Sequence, residues 1–171
     1  EGICGSGLID LLGELRRTGL LNEFGRFEDG SAEFVVHPET GISFHESDVN
    51  ELAQAKGANV AGLLTVAKAY GVSLHQIDRF YLAGGFGRHL DLAAAKRIGL
   101  IPDLPDERIV QVGNAAIEGA TVALLSMSRR RELEDVVRGI GHVELETDPE
   151  FFDHFVQGCQ FVPVGTTEVT P

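Results

Sequence analysis

A chain of 171 residues with 14 Lys and Arg against 26 Asp and Glu has a formal net charge of −12, which argues against a nucleic-acid partner, because phosphate backbones bind clustered cations. The one basic run, Arg129–Arg131, is followed directly by acidic residues and predicts a solvated helix face. No apolar run reaches the roughly 20 residues that span a bilayer, and Cys4 and Cys159 match no metal-binding spacing, so we predict a cytoplasmic protein without a membrane or metal site.

The sequence suggests a single, incomplete domain. It begins with Glu1 and Gly2, without an initiator Met or a signal-peptide pattern, and we therefore expect it to be part of a longer protein. We assign residues 1–163 to one partial domain. Residues 164–171 have the composition of a polar, disordered tail.

The first predicted helix follows the glycine-rich start of the chain. Leucines recur on one helical face, and Gly19 is a natural stop. The glycines on either side of Ser6 resemble a phosphate-binding loop at a helix start. Ser6 therefore either contacts a phosphate or caps the helix, and the spacing leaves both interpretations open.

A hairpin and a long helix come next. Two short apolar segments, 33–36 and 42–45, flank a turn that contains Pro and Gly, which predicts a β-hairpin. Ser47 is a suitable N-cap for a helix that runs to Tyr70. Lys56 interrupts the apolar stripe of this helix. Its ammonium group therefore either reaches water or points at a nucleotide.

The sharpest motif is the glycine turn of residues 84–87. An apolar strand, 79–83, ends at Gly84, Gly85 and Gly87, and a helix begins around Leu90. Glycines let backbone amides approach a phosphate or a ribose without a Cβ in the way. A tight turn without a ligand explains the pattern equally well, and the motif is neither GxGxxG nor a P-loop.

The strand–glycine–helix pattern then repeats. A strand over 108–112 leads into Gly113 and Asn114 and a helix rich in small residues, which indicates close packing or an interdomain contact. Val143 and Leu145 predict a half-buried strand, and Asp148 with the following proline predicts the start of a last helix. The alternation of strands and helices predicts an α/β domain. No catalytic residue can be assigned from spacing, and the histidines form no zinc motif.

In this order, the segments resemble the C-terminal domain of the reductive activators of corrinoid proteins. That family belongs to the superfamily of acetate and sugar kinases, heat-shock chaperones and actin. The resemblance covers nearly the whole chain, and the ordered set of motifs is more specific than any single one. The matching stretches are 2–10, 52–58, 77–87, 97–102, 112–114 and 144–151.

The resemblance implies the C-terminal half of an actin-like, ribonuclease H-like ATPase domain, with a mixed sheet flanked by helices and ATP with Mg²⁺ in a cleft. Gly84, Gly85 and Gly87 would match the adenosine motif, Gly113 and Asn114 the second connecting motif, and the helix of Lys56 the adenine or ribose side. Family members carry a 2Fe–2S ferredoxin domain at the N-terminus. They use ATP to return the Co(II) corrinoid of a partner methyltransferase or corrinoid protein to Co(I).

The chain lacks parts of the complete pattern. It has two cysteines where an iron–sulfur cluster takes about four, and no phosphate loops with an Asp-Gly strand, so its ATP site would be half a site and its active site incomplete. We therefore expect the cluster only in an N-terminal domain of the parent. Two alternatives are half of a small-metabolite kinase of the same superfamily, and a non-catalytic module for homodimerisation or docking.

Overall fold

The computed structural model describes residues 2–165, which form seven α-helices and four strands. The predicted α/β class is confirmed, although the strands form two separate pairs among these residues instead of one mixed sheet. None of the helices in this part of the chain is long and apolar enough to cross a membrane. In chain order the elements are α1 (Gly5–Arg17), β1 (Glu33–His37), β2 (Ile42–His45), α2 (Glu46–Ala69), β3 (Phe80–Ala83), α3 (Gly85–Arg88), α4 (Leu92–Arg97), β4 (Ile109–Gly113), α5 (Ala115–Leu125), α6 (Met127–Arg138) and α7 (Phe151–Gly158).

The main core lies where α1 packs on α4. Of the predicted leucine face of α1, Leu12 and Leu15 are buried and Leu8 and Leu11 are half-buried. The two helices approach so closely that a Cβ at Gly13 would lie 2.5 Å from the Cβ of Ala94. Phe44 of the hairpin and Phe161 of the C-terminal segment complete the core, so residues distant in sequence share one apolar centre.

The two strand pairs differ in direction. β1 and β2 are antiparallel and form the predicted hairpin, with Phe34 opposite Phe44. β3 and β4 are parallel, with Tyr81 opposite Val110. Because parallel strands end at the same edge, the two segments that follow β3 and β4 are brought side by side.

The starts of the first two long helices differ from the predicted ones. Cys4, not Ser6, precedes α1, and Ser6 lies inside the first turn without capping it. α2 is capped by His45 instead of Ser47, since the backbone N–H of His45 donates to a carboxylate oxygen of Asp48 at 3.0 Å. A reciprocal capping box at His45 satisfies free N–H groups that a single serine would leave open.

The predicted strand at Val143 and Leu145 is wrong. Leu145 begins a short 3₁₀ turn, Leu145–Thr147, Val143 lies two residues before it, and neither is part of a strand in the described residues. Two alternating apolar residues are too short a pattern to specify a strand. The last helix exists, but its N-cap is Glu150, whose backbone N–H donates to the Asp148 carboxylate at 2.9 Å.

α7 packs antiparallel on α2 and brings the end of the described chain back to the core. Two glycines make the approach possible, because a Cβ at Gly158 would lie 3.1 Å from the Cα of Gly57. Beyond α7, Val164 forms a parallel bridge with Pro102. The rest of the predicted tail, 166–171, lies outside the described residues.

α5 and α6 form a helical hairpin that packs chiefly on itself. No residue of either helix is buried. The predicted solvated face at Arg129–Arg131 is confirmed, since this run lies on the exposed surface of α6, where Arg129 pairs with Glu132. The exposed apolar residues of the hairpin are a separate feature that the charge pattern does not explain.

Candidate functional site

The two glycine turns meet at the carboxyl edge of β3 and β4. The backbone N–H of Gly84 donates to the carbonyl oxygen of Gly113 at 2.5 Å. Both glycines have positive φ, 97° at Gly84 and 65° at Gly113, a backbone region that other residues seldom adopt. The parallel pairing therefore brings the two glycine motifs of the sequence side by side.

The space next to the backbone of these turns is free of other protein atoms. A Cβ built on Gly84 or on Gly85 would meet no atom within 4 Å, and one on Gly113 would meet only the Cδ of Arg88, at 3.9 Å. Glycine at Gly85 is thus required neither by a positive φ nor by close packing. An unoccupied approach to backbone amides is what a phosphate or sugar–phosphate group needs.

Gly87 and Asn114 have structural roles beside this surface. Gly87 is buried, and a Cβ there would lie 3.4 Å from the Cβ of Leu82. Asn114 caps α5, because its side-chain oxygen accepts the backbone N–H of Ile117 at 3.1 Å. Five of the seven predicted site residues therefore lie together at this edge, and these two also hold the turns in place.

Two polar residues at this edge were missed by the sequence analysis. The side-chain nitrogen of Gln111 donates to the carbonyl oxygens of Gly87 and Leu90, at 2.7 and 3.0 Å, and so holds α3 against β4. The exposed Arg88 places a basic side chain beside Gly113. An Arg directly after a glycine turn was a usable sign of an anion-binding role, because guanidinium groups match phosphate oxygens.

The start of α1 lies next to the same turn through Phe86. A Cβ at Gly5 would lie 2.9 Å from the Phe86 ring, so the segment that contains Ser6 borders the glycine turns. The Ser6 hydroxyl is 3.4 Å from the Sγ of Cys4. Hydrogen bonds from Ser6 and from the backbone of Gly7 lower the pKa of the exposed Cys4 thiol.

The ammonium group of Lys56 is hydrogen-bonded to the backbone at the end of α7. It is 3 % exposed and donates to the carbonyl oxygens of Gly158 and Gln160, the latter at 2.7 Å. It also lies 5.5 Å from the centre of the Phe161 ring. Lys56 lines a cavity of about 170 Å³ below Phe86, but its charge is used to tie α2 to the segment after α7.

Burial gives Lys56 a testable pH dependence. Desolvation lowers its pKa from 10.5 to about 8. Because the unfolded chain then binds more protons between these values, the free energy of unfolding rises with pH, by roughly 2 kcal/mol between pH 8 and pH 10. Urea unfolding across this range measures the rise, and the Lys56→Met variant, which has no titrating group there, should lack it.

The thiol of Cys159 changes the pH dependence of the free energy of unfolding in the opposite direction. Burial raises the pKa of Cys159, so the folded chain keeps that proton longer and loses stability as pH rises. The Lys56 charge lowers the pKa of this thiol, so in Lys56→Met the thiol pKa is raised further and the free energy of unfolding should fall, not rise, with pH. An equal pH slope in the two proteins would contradict the assignment to Lys56.

A second concavity lies on the other side of the start of α1. This groove has a volume of about 740 Å³, and the carboxylates of Asp48 and Glu51 face it together with apolar side chains. Within the described residues, no group of three His, Cys, Asp or Glu side chains is placed to hold a metal ion. The lining residues are Gly2, Ile3, Leu8, Thr40, Gly41, Ile42, Ser43, Phe44, Asp48, Glu51 and Leu52.

The chain is similar to several known proteins. Residues 1–170 match a family model described as the C-terminal domain of RACo, the ASKHA domain. The chain is 29% identical to the corrinoid activation enzyme RamQ of Eubacterium limosum, over 94% of this chain and 31% of that protein. It is also 29% identical to the Co(II) methylated amine-specific corrinoid protein reductase of Methanosarcina barkeri, over 90% of this chain and 28% of the relative.

A solved structure shares the fold. The reductive activator for corrinoid, iron–sulfur protein is 36% identical and superposes with a TM-score of 0.84, over 94% of this chain and 28% of that one. The chain thus spans about three-tenths of the length of the proteins that it resembles.

Proposed function

The chain belongs to the family of C-terminal ASKHA domains of RACo, and from this membership we propose that it is the nucleotide-binding part of an ATP-dependent reductive activator of a corrinoid protein. In this proposal the full-length protein returns a Co(II) corrinoid, bound to a partner protein, to Co(I). The names of the relatives, which describe corrinoid activation and corrinoid protein reduction, support the reaction class.

The observation that carries the nucleotide assignment is the open backbone at Gly84 and Gly85. Gly85 has neither a positive φ nor a close neighbour that would require glycine, and it lies directly after Gly84, whose amide is bonded to Gly113 at the same edge. Sugar and phosphate oxygens can approach the amides of these residues, and Arg88 lies close enough to the same edge to add positive charge. The residues present therefore fit one side of an ATP molecule.

We assign separate tasks to the residues at this edge. Gly84, Gly85 and Gly113 admit the nucleotide, Gly87 and Asn114 fix the two turns, and Ser6 borders the site beside Phe86. Lys56 is left out, because its ammonium group is already bonded to two carbonyl oxygens. Carboxylates that could hold Mg²⁺ are expected elsewhere in the full-length protein.

ATP supplies a driving force for a step that is otherwise unfavourable. Reduction of Co(II) to Co(I) takes one electron, which we assign to a low-potential iron–sulfur donor. Hydrolysis of ATP to ADP and phosphate does not itself provide that electron. It drives the step only as far as the nucleotide-bound and nucleotide-free protein differ in affinity for the two states of the partner.

The function is tested with the full-length protein and a corrinoid protein held as Co(II) under anaerobic conditions. A low-potential reductant is supplied, and the absorption spectrum of the corrinoid reports its oxidation state. We expect Co(I) to accumulate with ATP and not with ADP. Equal Co(I) formation with and without ATP would contradict the proposal, and phosphoryl transfer to an added metabolite would favour a kinase instead.

A further inference from the structure

The groove of about 740 Å³ beside the start of α1 is bounded by an open sheet edge. Residues 40–44, at the tip of the β-hairpin and along β2, line this groove. β2 pairs only with β1, so no further strand lies beside it in the described residues. A free strand edge presents backbone N–H and C=O groups with which another strand can pair.

The β1–β2 ladder shows which backbone groups of β2 are free. The backbone N–H of Glu46 donates to the carbonyl oxygen of Ala32 at 3.0 Å, so these two residues are a hydrogen-bonded pair. Such pairs alternate with non-bonded pairs along antiparallel strands, and Ser43 with Val35 is therefore a non-bonded pair. Both backbone groups of Ser43 thus point away from β1.

Asp48 shows that the groove lies on the side to which Ser43 points. The Asp48 carboxylate lines the groove, and it accepts the backbone N–H of His45, the next outward-facing residue of β2, at 3.0 Å. Because that bond uses the N–H of His45, the free edge is centred on Ser43. A strand added here is short, and side-chain contacts must therefore contribute to its selection.

The side chains of the groove are apolar or acidic. Ile3, Leu8 and Leu52 contribute apolar surface, and the exposed Glu51 has no hydrogen bond or ion pair with the described residues. None of the lining residues is Lys or Arg, in a chain with a net charge of −12. An unpaired carboxylate in a negative field attracts a basic side chain.

We propose that this groove docks a partner protein through an extended segment of alternating apolar and basic residues, which pairs with β2 as a third strand. Alternate side chains of such a strand point to opposite sides, so one set covers the apolar floor and the other provides Lys or Arg for Glu51. A second copy of this chain does not supply the segment, because its neighbouring Lys and Arg residues all lie in helices α1, α4 and α6. The proposal does not depend on the nucleotide assignment.

A fluorescent ten-residue peptide of alternating Lys and Val, added to the full-length protein, tests the strand pairing by anisotropy. Ser43→Pro removes the outward N–H and should weaken binding about 10-fold. Val35→Pro is the matched control, because Val35 belongs to the same pair but its N–H faces the opposite edge of the hairpin. Proline is tolerated at such edge positions, and we expect the control to bind the peptide unchanged.

The charge contribution is tested separately. Glu51→Gln should weaken binding about five-fold, whereas Glu134→Gln, at an exposed residue of α6, should leave it unchanged. Equal weakening by both variants would mean that the peptide binds the acidic surface in general. That outcome overturns the proposal, as does equally tight binding of a peptide with Glu in place of Lys.

Other occupants of the groove give different results. No binding to the full-length protein, with the Ser43 amide already protected from hydrogen exchange, would mean that its own polypeptide fills the groove. No binding without that protection would leave the edge unused, and either result overturns the proposal. If Ser43→Pro does not fold, peptides N-methylated on all Val or on all Lys residues replace it. One of them should lose binding, and equal binding of both would contradict strand pairing.

Discussion

Replacement of Gly85 by valine is expected to lower the affinity of the full-length protein for ATP on the order of 1000-fold, equal to about 4 kcal/mol. The valine side chain would occupy the space next to the backbone amides that the nucleotide must approach. Because Gly85 has no positive φ and its Cβ position is free, the substitution should leave the free energy of unfolding nearly unchanged. Titration calorimetry and urea unfolding measure the two effects separately.

Gly141→Val is the matched control for this prediction. Gly141 also has a free Cβ position and no positive φ, but it lies after α6, away from the glycine turns. Its substitution should change neither ATP affinity nor stability. Unchanged ATP affinity in Gly85→Val would refute the proposed site, whatever the activity of the protein.

Gly57→Ala should be among the most destabilising small substitutions in the chain, at about 3 kcal/mol. A Cβ at Gly57 would lie 2.6 Å from the Sγ of Cys159 and 2.9 Å from the carbonyl oxygen of Phe155. The thiol can rotate away, but the carbonyl belongs to the backbone of α7. α2 and α7 must therefore separate. This separation also strains the hydrogen bonds from Lys56 to the backbone carbonyl oxygens of Gly158 and Gln160. Chemical unfolding of the variant measures the loss.

Gly62→Ala provides the control on the same helix. A Cβ there would meet only the Cδ1 of Leu145, at an ordinary contact distance of 3.6 Å. Since alanine favours a helix over glycine by up to about 1 kcal/mol, this variant should be slightly more stable than the original protein. Equal destabilisation at both positions would mean that α7 does not approach α2 as closely as the structure places it.

The predictable part of the site was its backbone. An apolar strand followed by glycines specifies a turn locally, and the pattern at Gly84 and at Gly113 could be seen without any tertiary information. The parallel pairing of β3 with β4, which the sequence analysis did not specify, brings the two turns together. The resemblance to the activator family is confirmed by the family match.

The environment of Lys56 could not be predicted, because it depends on residues about a hundred positions further along the chain. The apolar stripe predicted an unusual lysine, yet only the return of α7 supplies the carbonyl oxygens that bind it. The predicted N-caps of α1 and α2 were wrong for a related reason. Several nearby groups can cap a helix, and at α2 the capping box is formed by His45 and Asp48 and not by Ser47.

The hydrogen bond from Gly84 to Gly113 links the two turns mechanically. A displacement of the first turn by a ligand would stretch this bond or carry the second turn along, and Asn114, the first residue after that turn, is the cap of α5. One peptide-to-peptide contact thus gives a short route by which a change at the glycines can tilt a helix eleven residues long.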